Sequence, residues 1–254
     1  MRHGSDTNVS HTSVHMSGAA QLRSFFLAGP AGRLEALLNE GEPRAPYSVL
    51  ICHPHPKGGG TLHNKVVYHA MKAFQHFGLP VLRFNFRGTG LSEGEHNEGR
   101  GEVDDVKTAL HWLEHQYGKP LLFCGFSFGA NVGMRACCGD PRVRGIVALG
   151  LPVQAEGRDY RYNFLPDCTT PKLFVSGAAD QYGPRDRVEA IVRTAAQPAS
   201  LVWIPDADHF FAGKLPAMQD ALRTWLSASF FPERLLPRET SGSETSAHGS
   251  SRRD

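Results

Sequence analysis

The sequence lacks a long hydrophobic segment: no run of apolar residues approaches the ~18–20 residues that a membrane-spanning helix needs. It also lacks an excess of charge of one sign, because 27 Lys and Arg residues against 25 Asp and Glu residues leave a formal net charge of +2. Residues 1–20 contain no apolar core of the kind that a secretory signal requires. These absences predict a cytoplasmic protein with no nucleic-acid partner and no membrane partner, and they leave its oligomeric state open.

Cysteine is scarce, with 5 residues in the whole chain. Cys52 and Cys124 lie inside apolar, strand-like runs, which is typical of reduced core residues in a cytosolic protein. Cys137 and Cys138 are adjacent in a predicted helix, and that spacing does not resemble a metal site. No cysteine is therefore a candidate metal ligand.

A globular body lies between two polar ends. The chain has 254 residues, of which 41% are hydrophobic, and this length suits one large α/β domain or two small ones. Residues 1–20 and 233–254 are polar and lack hydrophobic periodicity. We therefore expect two disordered tails on one domain that spans residues 21–232.

Inside that domain, strand-like apolar runs alternate with amphipathic helical patterns. Residues 22–28 and 33–39 flank a Gly-Pro-Ala-Gly turn and predict a hairpin. Further strands are predicted at 47–54, 81–86, 120–126, 143–150, 171–177 and 200–205. This alternation predicts an α/β fold with a doubly wound, mostly parallel sheet, which carries the hairpin as an antiparallel edge. In such sheets, functional residues collect at the carboxyl ends of the strands.

The segment GFSFG at 125–129 contains a candidate nucleophile, Ser127. An apolar strand precedes this G-x-S-x-G pattern and a helix follows it, so the pattern predicts a sharp strand-to-helix turn that exposes the serine hydroxyl. The flanking glycines leave room where the turn brings neighbouring backbone close, and the helix N-terminus adds partial positive charge. The alternative is a serine that only caps the helix, with glycines there by chance.

Five segments in chain order carry a family resemblance: HPHPKGGGTLHNKVV (53–67), LRFNFRGTGLSEGEH (82–96), GRGEVDD (99–105), GFSFGA (125–130) and DADHFF (206–211). With them, the chain resembles the α/β-hydrolase superfamily, and within it a small serine-esterase-like subgroup without a cap domain. The resemblance implies the α/β-hydrolase fold, a Ser-Asp-His triad in that chain order and no cofactor. Asn85 stands where many relatives have Asp, a departure with no evident catalytic cost.

The family order places the catalytic base after Ser127. Only His209 and His248 follow the serine, and His248 lies in the predicted tail. His209 lies between the last strand and the last helix, where the family has its base, so we predict that His209 takes the proton of the serine hydroxyl. The alternative is an ordinary surface-loop histidine.

The acid should follow the penultimate strand of the fold. Asp180 comes three residues after that strand and would hold the His209 ring in the required tautomer, unless it is only a turn or capping aspartate. Asp186 lies inside the next predicted helix, and Asp206 and Asp208 are too near His209 along the chain to be favoured.

A tetrahedral intermediate also needs two backbone N–H donors. The resemblance assigns one to Phe128, which follows the nucleophile, and the other to the loop after strand 47–54. In that loop His55, Lys57 and Gly58 are candidates, and alignment with the family's H-G-x motif favours the backbone of His55.

The same loop allows a different interpretation, a metal site. His53 and His55 would face the same side of an extended segment, with His63 nearby. The triad explains the loop without an additional ion, so we predict no metal and expect chelators to leave activity unchanged.

The segment 151–171 takes the place of a cap but is too short to form a domain. Its aromatic residues Tyr160, Tyr162 and Phe164 would either form a partial lid or pack on the sheet. Four phenylalanines near the triad predict an apolar site that suits an uncharged ester: Phe126, Phe128, Phe210 and Phe211.

The sequence therefore predicts a serine hydrolase, a carboxylesterase that cleaves small carboxylic esters or thioesters through an acyl-enzyme. A peptidase or amidase would use the same triad. A non-catalytic binding protein with this fold is the alternative from another class, although a complete Ser-His-Asp set argues against it.

Overall fold

A computed structural model of the protein describes residues 21–155 and 158–235. The predicted tail 1–20 and most of the tail predicted at 233–254 lie outside these residues. Residues Pro232–Leu235 form a 3-10 turn directly after the last helix. None of the helices in the described part of the chain is long and apolar enough to span a bilayer.

The core of the fold is an eight-stranded sheet, with the strands β1 (Leu22–Gly29), β2 (Gly32–Asn39), β3 (Ser48–Cys52), β4 (Val81–Phe84), β5 (Leu121–Phe126), β6 (Val143–Leu149), β9 (Lys172–Gly177) and β10 (Ala199–Ile204). Their order across the sheet is β1-β2-β4-β3-β5-β6-β9-β10. The hairpin β1–β2 pairs antiparallel with β4, and the remaining pairs are parallel. The predicted doubly wound sheet with an antiparallel edge is confirmed.

In the described part of the chain, five α-helices cover the two faces of the sheet: α1 (Lys65–Gln75), α2 (Gly101–Tyr117), α3 (Phe128–Cys137), α4 (Arg185–Thr194) and α5 (Leu215–Phe230). Helices α1 and α5 pack on one face, while α2 and α3 pack on the other with part of α4. Strand β5 shows why both faces are covered. Leu121 and Phe123 point to the second face and Leu122, Cys124 and Phe126 to the first, so a strand that is apolar at every position is buried on both sides.

Two helix ends show how local sequence sets the element bounds. The Asn64 side chain accepts a hydrogen bond from the amide of Val66 at 2.9 Å and so caps α1. Gly118, with φ of +59°, ends α2 in the left-handed conformation that glycine adopts at low cost.

The segment between β6 and β9 contains the two-residue strands β7 (Gln154–Ala155) and β8 (Arg158–Asp159) and a 3-10 turn at Leu165–Asp167. Its described residues contain no α-helix, in agreement with the predicted absence of a cap domain. A disulfide joins Cys168 of this segment to Cys138 at the end of α3, a bond that was not predicted. Cys52 and Cys124 are buried free thiols, as predicted.

Candidate active site

Ser127 lies at the predicted turn between β5 and α3, with φ of +53° and ψ of −118°. This conformation is costly for a residue with a side chain, and such strain persists where the surroundings fix it. A Cβ on Gly125 would lie 2.6 Å from the amide nitrogen of Ala130, and one on Gly129 would lie 2.4 Å from the carbonyl oxygen of His53. The two glycines therefore permit the close packing that holds the serine at the turn.

Ser127, His209 and Asp180 form one hydrogen-bonded chain. The His209 Nε2 lies 2.9 Å from the Ser127 Oγ, and its Nδ1 lies 2.8 Å from an Asp180 carboxylate oxygen. All three residues are buried, although they come from loops after three different strands, β5, β9 and β10. The structure thus brings the three predicted residues together, in the order that a nucleophile, a base and an orienting acid require.

The Asp180 carboxylate is fixed from its other side. Its Oδ1 accepts hydrogen bonds from the amides of Tyr182 at 2.8 Å and Gly183 at 3.1 Å. These bonds leave the Oδ2 directed at His209. The ring of Tyr182 also contacts the imidazole edge to face, with centroids 4.8 Å apart.

The three aspartates that were disfavoured as the acid of the triad, Asp186, Asp206 and Asp208, do not hydrogen-bond to His209 in the described structure. The Asp208 carboxylate accepts from the amides of Phe210 and Ala212 and thereby shapes the turn that presents His209. Asp206 and Asp186 are exposed.

The two backbone amides predicted as donors to the oxyanion belong to Phe128 and His55. Phe128 is the first residue of α3, so its amide has no acceptor within the helix. The carbonyl of His55 accepts from the amides of Gly58 and Gly60, while its Nδ1 accepts from the amide of Lys57. These bonds fix the loop and engage the amides of the two alternative donors, Lys57 and Gly58.

The three histidines of the predicted alternative metal set do not form a site. His53 is fully buried, and both ring nitrogens are engaged, one with the Pro54 carbonyl at 2.7 Å and the other as acceptor from the Phe86 amide at 3.0 Å. Burial lowers the pKa of His53 to about 4. His63 is exposed. His53 is thus a structural tie between two loops.

A different trio brings three possible ligand atoms together: His55, His96 and Glu98 lie within 4.8 Å of one another. Burial, followed by the charge of Arg158, lowers the pKa of His55 to about 4. The carboxylate of Glu98 is paired with Lys57 at 2.7 Å. The positive charges of Lys57 and Arg158 would repel a metal ion, so the trio is a poor cation site.

The glycine-rich turn after β4 is held by buried polar pairs. Asn85 accepts from the amide of Leu62 and donates to Glu35, so the amide side chain has a structural use that a carboxylate in its place would not share. Arg87 and Asp105 form a buried ion pair at 2.6 Å.

Two adjoining pockets lie beside the triad, and Ser127 itself lines the smaller one. The smaller, about 120 Å³, is lined by Ser127, His209, Pro152, Tyr182 and Phe210 among others. The larger, about 850 Å³, extends along the start of α3 and under the segment 158–164. Three residues line both pockets: His55, Arg158 and Tyr160.

The aromatic segment divides between the two predicted roles. Tyr162 is buried, and its hydroxyl donates to the Pro152 carbonyl at 2.6 Å, so it packs on the fold. Tyr160 and Phe164 instead form part of the wall of the larger pocket.

The expected apolar surroundings hold only in part. Phe128 and Phe210 line the pockets, and Phe126 packs against the His209 ring, whereas Phe211 is buried in the core. The larger pocket, however, carries four arginines: Arg100, Arg135, Arg158 and Arg161. Sequence reasoning missed them because they are dispersed over 62 positions and the chain as a whole is nearly neutral.

Comparisons with known proteins agree with the fold. The family described as alpha/beta hydrolase domain matches residues 48–225. An uncharacterised protein of Rickettsia prowazekii is 35% identical over 209 residues, which cover 79% of this chain and 87% of that protein. The chain belongs to the alpha/beta hydrolase family.

Two solved structures narrow the class. A protein of Xanthomonas campestris, described as an a/b serine hydrolase without lid, is 33% identical with a TM-score of 0.73, covering 85% of this chain and 96% of that one. An alpha-beta serine hydrolase homologue from Coxiella burnetii is 34% identical with a TM-score of 0.72, covering 84% and 100%. This chain therefore belongs with the cap-less serine hydrolases of the family.

Proposed function

We propose that this protein is a serine esterase that cleaves small carboxylic esters or thioesters through an acyl-enzyme. The observation that carries the proposal is the continuous hydrogen-bonded chain from Ser127 through His209 to Asp180. A serine hydroxyl is a weak nucleophile on its own, and a base at 2.9 Å whose ring is oriented by a buried carboxylate activates it.

In the first half-reaction, the Ser127 Oγ attacks the carbonyl carbon of the ester while the His209 Nε2 takes the hydroxyl proton. The tetrahedral intermediate then collapses, the bond from carbon to the leaving oxygen or sulfur breaks, and His209 gives its proton to the leaving group. Water repeats both steps on the acyl-enzyme, releasing a carboxylic acid and restoring the serine. Asp180 stabilises the imidazolium throughout.

The amides of Phe128 and His55 serve as donors to the developing oxyanion. Removal of one such donor in serine hydrolases costs roughly 3–4 kcal/mol in the transition state. The N-terminus of α3 adds its partial positive charge at the same place.

Esters and thioesters are favoured over peptides by the chemistry of the leaving group. The amine of a peptide leaves a tetrahedral intermediate less readily than an alkoxide or a thiolate does, so the same triad cleaves esters and thioesters more easily.

The test is labelling of the intact chain with a fluorophosphonate probe, followed by a panel of p-nitrophenyl esters, thioesters and p-nitroanilides. We expect stoichiometric labelling and hydrolysis of the short esters and thioesters, with much slower release of nitroaniline. Lys119→Ala, which changes a half-buried lysine that lines neither pocket, is the control for expression and purification. A chain that is not labelled would contradict the enzyme proposal, and a preference for anilides would contradict the esterase assignment.

A further inference from the structure

We infer that the larger pocket beside Ser127 binds an acyl group that carries a second, negatively charged end, either a carboxylate or a phosphate. The inference rests on the proposed esterase function and names its substrate class: monoesters or monothioesters of an acid with a distal anion. It contradicts the expectation from sequence that the substrate is uncharged.

Charge is the first observation. Four arginines line the pocket, from the loop before α2, from α3 and from the segment 158–161, and all four are exposed: Arg100, Arg135, Arg158 and Arg161. Among the residues of the lining that the structure describes, Glu98 is the one acid, and its carboxylate is paired with Lys57 at 2.7 Å. This described part of the wall is therefore strongly positive in a chain whose formal net charge is only +2.

Two of the pocket arginines, Arg100 and Arg135, also differ from other arginines of the fold. Arg87, Arg142 and Arg185 each form an ion pair with a carboxylate. In the part of the chain that the structure describes, no carboxylate lies within 4.0 Å of the guanidinium of Arg100 or Arg135. Like charges around one cavity repel one another, and a bound anion removes that repulsion.

One of the guanidinium groups is fixed in place. Arg135 donates from Nη1 to the Gly99 carbonyl at 3.0 Å, which positions the guanidinium at the pocket wall and leaves its other N–H groups available. A planar guanidinium binds a carboxylate or a phosphate with two parallel hydrogen bonds. The pocket thus offers a prepared partner for an oxyanion.

The position of the pocket assigns it to the acyl part of the substrate. His209 must reach the leaving atom to protonate it, and His209 lines the small pocket but is not in the wall of the large one. Phe128, whose amide would hold the carbonyl oxygen, does line the large pocket. The leaving group therefore lies on the His209 side and the acyl chain on the arginine side.

The volume and the walls fit such a chain. About 850 Å³ is within the usual range of small-molecule sites. Phe128, Tyr160 and Phe164 provide apolar surface along which methylene groups can pack, while the arginines are available for the distal anion.

The experiment compares p-nitrophenyl hemi-esters of adipic and suberic acid with the same compounds capped as neutral methyl esters, together with a p-nitrophenyl ester that carries a terminal phosphate. Release of nitrophenolate reports only the activated ester in every case. We expect kcat/KM for the carboxylate or the phosphate compound to exceed that of the neutral one at least tenfold at low salt. Whichever of the two compounds, the carboxylate or the phosphate, has the higher kcat/KM identifies the anionic group that the pocket binds.

In the double variant Arg135→Gln and Arg158→Gln, the ratio of anionic to neutral kcat/KM should fall at least tenfold. Arg193→Gln, which removes an exposed arginine of α4 that does not line the pocket, should keep the ratio of the parent chain. Because the readout is a ratio, a general loss of folded enzyme cancels. High ionic strength should lower the ratio as well.

Equal rates on charged and neutral esters, or an unchanged ratio in the double variant, would overturn the inference while leaving the esterase proposal standing. Failure of the proposed function has a different signature, which is no hydrolysis of any ester and no labelling by the fluorophosphonate.

Discussion

The hydrogen-bonded triad and the arginine pocket lie side by side at Ser127, yet they are built in opposite ways. Ser127, His209 and Asp180 are buried and held to one another or to backbone amides at 2.8–3.1 Å. The four arginines of the pocket are exposed and come from three segments of the chain, and what they share is their positive charge. A reaction centre needs one geometry, whereas a charged pocket can tolerate many.

This difference teaches where single substitutions should matter. A buried group that loses its only partner loses its function outright, because no solvent or neighbour replaces the partner. Each of the four exposed arginines contributes only part of the positive charge of the pocket, so removing one of them should weaken binding of an anion without abolishing it. We therefore expect the largest effects of substitution at the buried triad and progressively smaller effects away from it.

The largest effect should follow from Ser127→Ala or His209→Ala. Either change should abolish ester hydrolysis, and the two should cost about the same because the triad acts as a unit. Ser127→Ala should also abolish probe labelling while leaving the melting temperature nearly unchanged, since the hydroxyl is small and the backbone conformation is kept. Labelling that persists in Ser127→Ala would remove Ser127 as the nucleophile.

Asp180→Asn should lower kcat by up to ~10⁴-fold, because an amide at this position favours the wrong His209 tautomer. Asp208→Asn is the matched control: its carboxylate accepts from the amides of Phe210 and Ala212 but does not touch the imidazole. We expect a much smaller loss of kcat there. Steady-state kinetics on p-nitrophenyl acetate would measure both, and a larger loss in Asp208→Asn would reassign the acid.

The third prediction concerns stability against pH. Burial lowers the pKa of His53 from 6.5 to about 4 in the folded protein. The unfolded chain therefore binds a proton below pH 6.5 that the folded chain does not take up until about pH 4, so stability falls as the pH falls through this window. Between pH 7 and pH 5 this residue should cost about 2 kcal/mol of unfolding free energy.

Urea unfolding at the two pH values would measure that loss. His53→Gln should lower stability at pH 7, because it removes the tie between the Pro54 and Phe86 loops, and should flatten the pH dependence. His63→Gln, at an exposed position, should leave the pH dependence as it is. An unchanged slope in His53→Gln would show that His53 titrates normally.

No effect is expected from chelators. Hydrolysis by the proposed mechanism uses only protein groups and water, and the cations around the His55, His96 and Glu98 trio disfavour a metal ion. Activity should be the same before and after dialysis against EDTA. Loss of activity that zinc restores would make that trio a metal site.

The parts of the fold and site that could be predicted from sequence are those encoded locally. The strand, the glycine pair and the helix around Ser127 follow one another in the chain, so the turn is predictable from 125–130 alone. His209 and Asp180 required the family's chain order, because their meeting depends on how three strand ends converge. Their catalytic roles stay predictions, as does the cytoplasmic location.

The missed features depend on distant residues. The H-x-H spacing left a metal-ligand role open as an alternative for His53, and its structural role was not predicted, because the Phe86 amide that engages its ring lies 33 residues further along the chain. The pocket arginines belong to segments that only the folded chain brings together. The disulfide joins cysteines separated by 30 residues, a pairing that neither cysteine's neighbours indicate.

The disulfide between Cys138 and Cys168 affects how the wall of the larger pocket would respond to proteolysis. Residues 138–168 form a closed covalent ring that contains β6, Arg158 and Arg161. A single protease cut inside the ring opens the wall without releasing either half, so the nicked protein stays one molecule until it is reduced. The wall can thus be broken while the triad residues, which all lie outside the ring, keep their attachment to the rest of the chain.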